Sequence, residues 1–248
     1  MATPPVARHG CAALGRNVLN LIARVLATAL LLTSTEVLAQ SAAIPLSGND
    51  CVSPPARSEE DTKLLNALMV EPRRFTSLAV LLKLLPPEAM ANMATMQKSA
   101  AERQAKDWPD LCRYVAENAQ VQASAIRPRV IFLGDSITEN WKIADPSLFS
   151  ASVLDRGIGG QTTPQILLRF YQDVVALRPK VVHIMAGTND ISGNTGATTD
   201  EAIVHNIRAM IDIAEANDIR TILASITPSK QFVARPGVDP SARIAAVG

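Results

Sequence analysis

Neither sign of charge dominates this chain. Lysine and arginine number 24 against 23 aspartates and glutamates, a formal net charge of +1 at pH 7. No basic face for nucleic acid and no electrostatic hold on an anionic membrane surface is therefore expected. Cysteine and histidine are scarce, three of each in 248 residues. No CxxC and no Cys/His cluster occurs, so neither a structural zinc site nor any other metal site is expected. Three motifs are missing as well. There is no GxGxxG and no P-loop lysine, which argues against a bound nucleotide, and no GxSxG, which excludes the nucleophile elbow of α/β-hydrolases. No apolar run reaches comfortable membrane-spanning length.

What is present divides into three parts. Arg8, Arg16 and Arg24 precede an apolar run from Val25 to Leu32, and Val37-Leu38-Ala39 offers small residues just before Gln40. This layout predicts a secretory signal peptide over residues 1–39, with an uncleaved anchor as the other reading. The mature chain would then be secreted or periplasmic, with no stable membrane insertion. In an oxidising compartment Cys51 and Cys112 remain after Cys11 leaves with the signal. A disulfide and a pair of half-buried free thiols are equally open readings. Residues 40–126 read as a polar leader followed by a helical extension. Ser58 with Asp61 marks one helix start, Asp107 ahead of Trp108 and Pro109 another, and Met90, Met93 and Met96 one packed helix face.

From residue 127 the pattern changes. "RVIFLG", "SVLDRGIGG", "KVVHIMAGTND" and "IRTILASITP" are apolar strands, and "TPQILLRFYQDVVAL" and "DEAIVHNIRAMIDIAEAND" are helices between them. The alternation predicts a three-layer α/β fold on a four-stranded parallel sheet. In such sheets ligands bind beyond the carboxyl ends of the strands. Three loops lie there: Gly134-Asp135-Ser136, then Gly157 to Thr162, then Gly187-Thr188-Asn189-Asp190. A hydroxyl, a glycine-rich turn with exposable backbone N–H groups and a carboxamide are the parts that acyl transfer needs. The hydroxyl attacks, and the donors stabilise the oxyanion that develops. A glycine-rich turn could hold phosphate instead, but the three loops together favour the ester chemistry.

"FLGDSITENW", "DRGIGGQTT" and "AGTND" resemble, in order, the first three blocks of the SGNH or GDSL hydrolase family. The wording is closest to the branch resembling platelet-activating factor acetylhydrolases and secreted bacterial esterases. The resemblance covers roughly residues 127–228 and implies a flavodoxin-like esterase domain over 127–248. It implies Ser136 as nucleophile and oxyanion donor, Gly160 as a second donor through its backbone N–H, Asn189 as a third through its side chain, and no cofactor. The substrate would be a small-molecule, glycan or lipid ester. Asp155 stands where the family often has Asn, and Gln161 where it often has Asp.

The family's last block, an Asp-x-x-His pair after a fifth strand, has no counterpart in this sequence. On the resemblance, "DPSARIAAVG" is the start of the helix preceding that strand, and the domain is truncated before its base. The other histidines do not replace it. His9 falls in the signal. His183 lies six residues before Asn189, about 20 Å below the catalytic edge at about 3.3 Å per residue. His205 sits about 200° round its helix from Ile203, whose face continues through Ile207, Met210 and Ala214, so it points to solvent. The expectation is a serine esterase impaired by loss of its base. The alternatives are a non-catalytic acyl- or glycan-binding relic, or a partial gene product. A fourth strand with an unpaired apolar edge would favour low solubility.

Overall fold

In the computed structural model, the described residues are 51, 59, 95, 98, 99, 101–232 and 237–248. All fall within one compact unit, Gly48–Gly248. The expected signal peptide, the helix start at Ser58 and the methionine face at Met90, Met93 and Met96 lie outside these residues.

The four apolar runs are strands: β1 Val130–Gly134, β2 Val153–Gly157, β3 Val181–Met185 and β4 Arg220–Leu223. They form one sheet in the order β2-β1-β3-β4, parallel throughout. The register aligns Gly134 with Gly157 and with Met185, so the first three strands end together. β4 is shorter than the sequence suggests, ending at Leu223.

From Leu111 onward, the α-helices among the described residues are α1 Val115–Ala123, α2 Ser136–Ala144, α3 Thr163–Asp173, α4 Thr188–Ser192, α5 Asp200–Glu215 and α6 Ser241–Val247. Strand residues alternate between the two faces of the sheet. Ile131, Leu133, Val182 and Ile184 are wholly buried on one face, in a core shared with Ile166 and Phe170 of α3 and with Ile203, Ile207 and Met210 of α5. On the other face Phe132 meets Trp141 of α2 edge-on, with ring centroids 5.3 Å apart, and lies 4.8 Å from the His183 ring. Helices on both faces of a parallel sheet make the expected three layers. β4 is an edge strand, and Ile222 and Leu223 are each more than half exposed there.

Two short helices were not foreseen. The GDS and AGTND blocks read as loops, yet Ser136 opens α2 and Thr188 opens α4 directly. Asp135 caps α2, its Oδ1 accepting from the Ile137 N–H at 2.9 Å. α4 spans five residues between Gly187 at φ 118° and Gly193 at φ 73°, a backbone that L side chains rarely adopt. α5 follows the expected pattern, with Ile203, Ile207, Met210 and Ala214 as its buried residues.

Ahead of the sheet, the N-cap of the first turn is Asp110 rather than the expected Asp107, though Asp107 still holds that turn. Its carboxylate accepts the N–H groups of Leu111 and Cys112, each at 2.9 Å. Leu111–Tyr114 forms a 3-10 turn that leads into α1. Of the two open cysteine readings the structure takes the disulfide, Cys51 to Cys112, with Cα atoms 5.2 Å apart. No helix among the described residues is long and apolar enough to cross a membrane.

Candidate active site

Ser136 stands half-buried at the first position of α2. A first-turn N–H has no partner within its own helix, and the Ser136 N–H has no acceptor among the described residues. Its hydroxyl makes no hydrogen bond there either. The second block arrives beside it: a Cβ on Gly159 would lie 3.7 Å from Ser136 Cβ. Gly160 adopts φ 79°, and its N–H likewise has no acceptor among the described residues.

Asn189 joins the three blocks. Its Nδ2 donates to Asp135 Oδ2 at 3.1 Å and to the Gln161 carbonyl at 2.9 Å. Both amide hydrogens are thereby engaged, so donation to an oxyanion requires one of these bonds to be exchanged. Of the three expected donors, two backbone N–H groups are open and the carboxamide is committed. Asn194 turns the carboxamide the same way, since its Nδ2 donates to Asn189 Oδ1 at 3.0 Å and to the Gly160 carbonyl at 3.1 Å. The loop "ISGNTGATT" thus engages the site itself through Asn194.

Below the loops lies a buried polar layer. Asp190 accepts the Thr163 N–H and hydroxyl, the latter at 2.6 Å, tying α4 to the start of α3. Burial raises the Asp190 carboxyl above its usual range. Burial also pushes Asp135 up to about 6, against the pull of the Ile137 N–H. Arg169, wholly buried, binds Gln161 Oε1 at 2.6 Å, the Gly134 carbonyl at 2.9 Å and Asp173 at 2.9 Å. One guanidinium therefore holds the first and second blocks at a fixed distance.

Sequence reasoning missed Arg169 and Asn194. For Arg169 a signal existed: Arg169 and Asp173, four residues apart, share the α3 face that carries Ile166 and Phe170. A charged pair on an apolar face has to be satisfied internally. Asn194 left no signal, because a polar residue in a small polar loop is unremarkable.

Neither described histidine approaches Ser136 as a base. His205 is exposed on α5, as expected. The distance expected for His183 needs correction. β3 ends at Met185, and Ala186 to Asn189 turn into α4, so His183 is only two residues from the strand's end, about 7 Å at about 3.3 Å per residue. The ring is nonetheless held beneath α2, against Phe132 and Trp141. Burial lowers its pKa, and its Nδ1 is buried without a partner. Among the described residues no group of three or more His, Cys, Asp or Glu side chains is placed to hold a metal ion.

The profile of the GDSL-like lipase/acylhydrolase family matches residues 132–247. A Bacteroides fragilis protein assigned as an acylhydrolase is 40% identical, with a TM-score of 0.53 over 57% of this chain and 69% of that one. The chain belongs to the GDSL-like lipase/acylhydrolase family. A GDSL-like lipase from Bacteroides thetaiotaomicron is 38% identical, with a TM-score of 0.52 over 56% of this chain and 69% of that one. The Bacillus subtilis (strain 168) lipoprotein YqeF is 34% identical over 79 residues, which span 31% of this chain and 32% of YqeF. The chain thus matches about a third of the length of that curated relative. Ser136, Gly160 and Asn189 all lie inside the family match, whereas residues 107–118 lie ahead of it.

Proposed function

We propose that this domain carries the machinery of carboxylic ester hydrolysis through a serine acyl-enzyme. Ser136 Oγ attacks the ester carbonyl. The Ser136 and Gly160 N–H groups stabilise the resulting oxyanion, and Asn189 joins them once its amide leaves Asp135 or Gln161. The C–O bond to the alkoxide breaks and the proton lost by Ser136 ends on it, giving the alcohol; water then attacks the acyl-enzyme, freeing the acid and restoring the Ser136 hydroxyl. The observation that carries the reading is the pair of unbonded backbone N–H groups on loops tied together through Asn189. The wording of the three blocks supports the acetylhydrolase-like branch and an acyl or acetyl ester of a small molecule, glycan or lipid.

Turnover by these 248 residues is expected to be slow, because no described imidazole is placed to take the serine's proton. Loss of the base in triad enzymes leaves roughly 10³–10⁴-fold over water, supplied by oxyanion donors and binding. A second reading, an acyl- or glycan-binding relic, is favoured by the committed Asn189 amide and the unpartnered Ser136 hydroxyl. The lipoprotein relative, together with the basic, apolar and small-residue order of residues 1–39, supports a location in the envelope or outside the cell.

A fluorophosphonate probe separates these readings. Mass-spectrometric labelling at Ser136, lost in Ser136→Ala, supports residual nucleophilicity; saturable binding without labelling supports the relic. Ordinary enzyme rates on p-nitrophenyl acetate, abolished by Ser136→Ala and also by His205→Ala, would overturn the expectation of slow turnover. They would mean that His205 reaches the site.

A further inference from the structure

The second-block loop is gripped by a segment that stands outside the family match. We propose that Asp107–Asn118 is a positioning element for this loop, with Arg113 and Tyr114 as its working contacts and the Cys51–Cys112 disulfide as its anchor. The inference rests on Gly160 being an oxyanion donor, but its test reads loop order and needs no turnover.

The contacts converge on one short stretch. The buried Tyr114 hydroxyl donates to the Gly157 carbonyl. Arg113 donates to Glu139 Oε1 at 3.0 Å, and Glu139 Oε2 accepts the Gly159 N–H at 2.9 Å. Gln161 Nε2 donates to the Pro109 carbonyl at 2.7 Å, and Gln165 Nε2 to that of Trp108 at 2.7 Å. Gly157, Gly159 and Gln161 are thereby all held, while Gly160 between them keeps its N–H open. The Tyr114 ring is itself fixed, with the Arg156 guanidinium 4.6 Å and the Arg113 guanidinium 5.5 Å from its centroid. Arg156, on β2, is bound by Asn118 at 3.0 Å and by Glu117 at 3.3 Å.

The geometry has a chemical reason. A glycine-rich loop is conformationally loose, yet an oxyanion donor works only when it is held in place before charge develops. The sheet fixes the loop at Gly157, and α3 fixes it again at Thr163. The bonds from Trp108 to Tyr114 fix what lies between. Cys112 immediately precedes the two contact residues, so its bond to Cys51 limits how far the segment can leave the loop.

The test is hydrogen–deuterium exchange on the full oxidised chain, with Val181–Met185 as internal control. In Tyr114→Phe and in Arg113→Ala, exchange of the hydrogen-bonded Gly157, Ile158, Gly159 and Gln161 amides is expected to rise about fivefold, roughly the effect of one ordinary hydrogen bond. The control strand should stay unchanged. Arg113→Lys, which keeps a cation for Glu139, should restore most of the protection. Reduction of the disulfide should raise exchange over residues 107–118 and over Gly157–Gln161 together. Unchanged exchange in the loop would overturn the proposal. So would an equal rise in loop and control, which would make the segment a general stabiliser. A rise over 107–118 alone on reduction would overturn the anchoring role of the disulfide. Arg113 is partly exposed, so its variants keep the test available if Tyr114→Phe does not fold.

Discussion

Replacing Asp155 by Asn should stabilise the protein at neutral pH and leave it unchanged at pH 4. Asp155 sits on β2, 7% exposed, and its Oδ1 accepts the Gly157 N–H at 2.8 Å. Burial pushes its carboxyl up to about 6, against the pull of that hydrogen bond and of Lys142 and Arg156, while Glu139 pushes the same way as burial. The folded state therefore holds the proton more tightly than the unfolded chain. Its contribution is fully present below about pH 4 and is lost as pH rises through about 6. A displacement from 3.8 to about 6, at about 1.36 kcal/mol per pH unit, corresponds to about 3 kcal/mol. Asn keeps the acceptor for Gly157 and carries no charge, so the variant escapes this loss. Asp135 also titrates near 6, but both proteins share its slope, and their difference isolates Asp155. Urea unfolding at intervals from pH 4 to pH 8, extrapolated linearly, gives the difference directly. It should grow from near zero at pH 4 to about 3 kcal/mol by pH 8. A difference independent of pH, or a variant less stable at pH 8, would refute the reasoning.

Arg169→Met should cost about 3–5 kcal/mol in the same unfolding assay, because it leaves Asp173 buried without its cation and frees Gln161 and the Gly134 carbonyl. Gly157→Ala should lower the midpoint by an amount equivalent to roughly 1–3 kcal/mol or more, since its Cβ would fall 2.1 Å from the Glu139 backbone nitrogen; a wild-type midpoint would show that α2 can lift off the sheet without cost. Ile222→Lys on the exposed edge of β4 should raise soluble yield and shift stability by no more than about 0.5 kcal/mol; unchanged yield in a sedimentation assay would count against edge pairing as the cause of poor solubility.

Much of the fold was legible because two periodicities carried it. Continuous apolar runs marked the parallel strands, and the spacing of Ile203, Ile207, Met210 and Ala214 marked the buried face of α5. The short helices were not legible in the same way. α4 is too brief to show a period, and Asp135 drew notice as part of a catalytic motif, which hid its work as the α2 cap. The depth of His183 was misjudged because strand geometry was extended through residues that turn into α4. At the candidate site the sequence pointed to Ser136, Gly160 and Asn189 through three short blocks that resemble the family's, and their roles stand as proposed. It did not identify what holds them: Arg169, Asn194 and the Trp108–Tyr114 contacts act through partners far along the chain, and no local pattern announces such partners.

The position of Ser136, the proposed nucleophile, is fixed by side chains that are missing. Gly134 and Gly157 sit opposite each other in the β1–β2 register. A Cβ on Gly134 would fall 2.2 Å from Thr138 Oγ1 and 2.5 Å from the Met185 carbonyl oxygen, and one on Gly157 would meet the Glu139 backbone. The two glycines together let the first turn of α2 rest directly on the carboxyl ends of the strands. That close approach brings Glu139 within reach of the Gly159 N–H and Asp135 within reach of Asn189. It also sets Ser136 at a helix start, where a backbone N–H is unpaired as a matter of helix geometry. The open donor and the positioned hydroxyl therefore share one cause, the absence of two side chains at one level of the sheet. A substitution at either glycine should disturb both at once, even though neither glycine touches a substrate in the proposed mechanism.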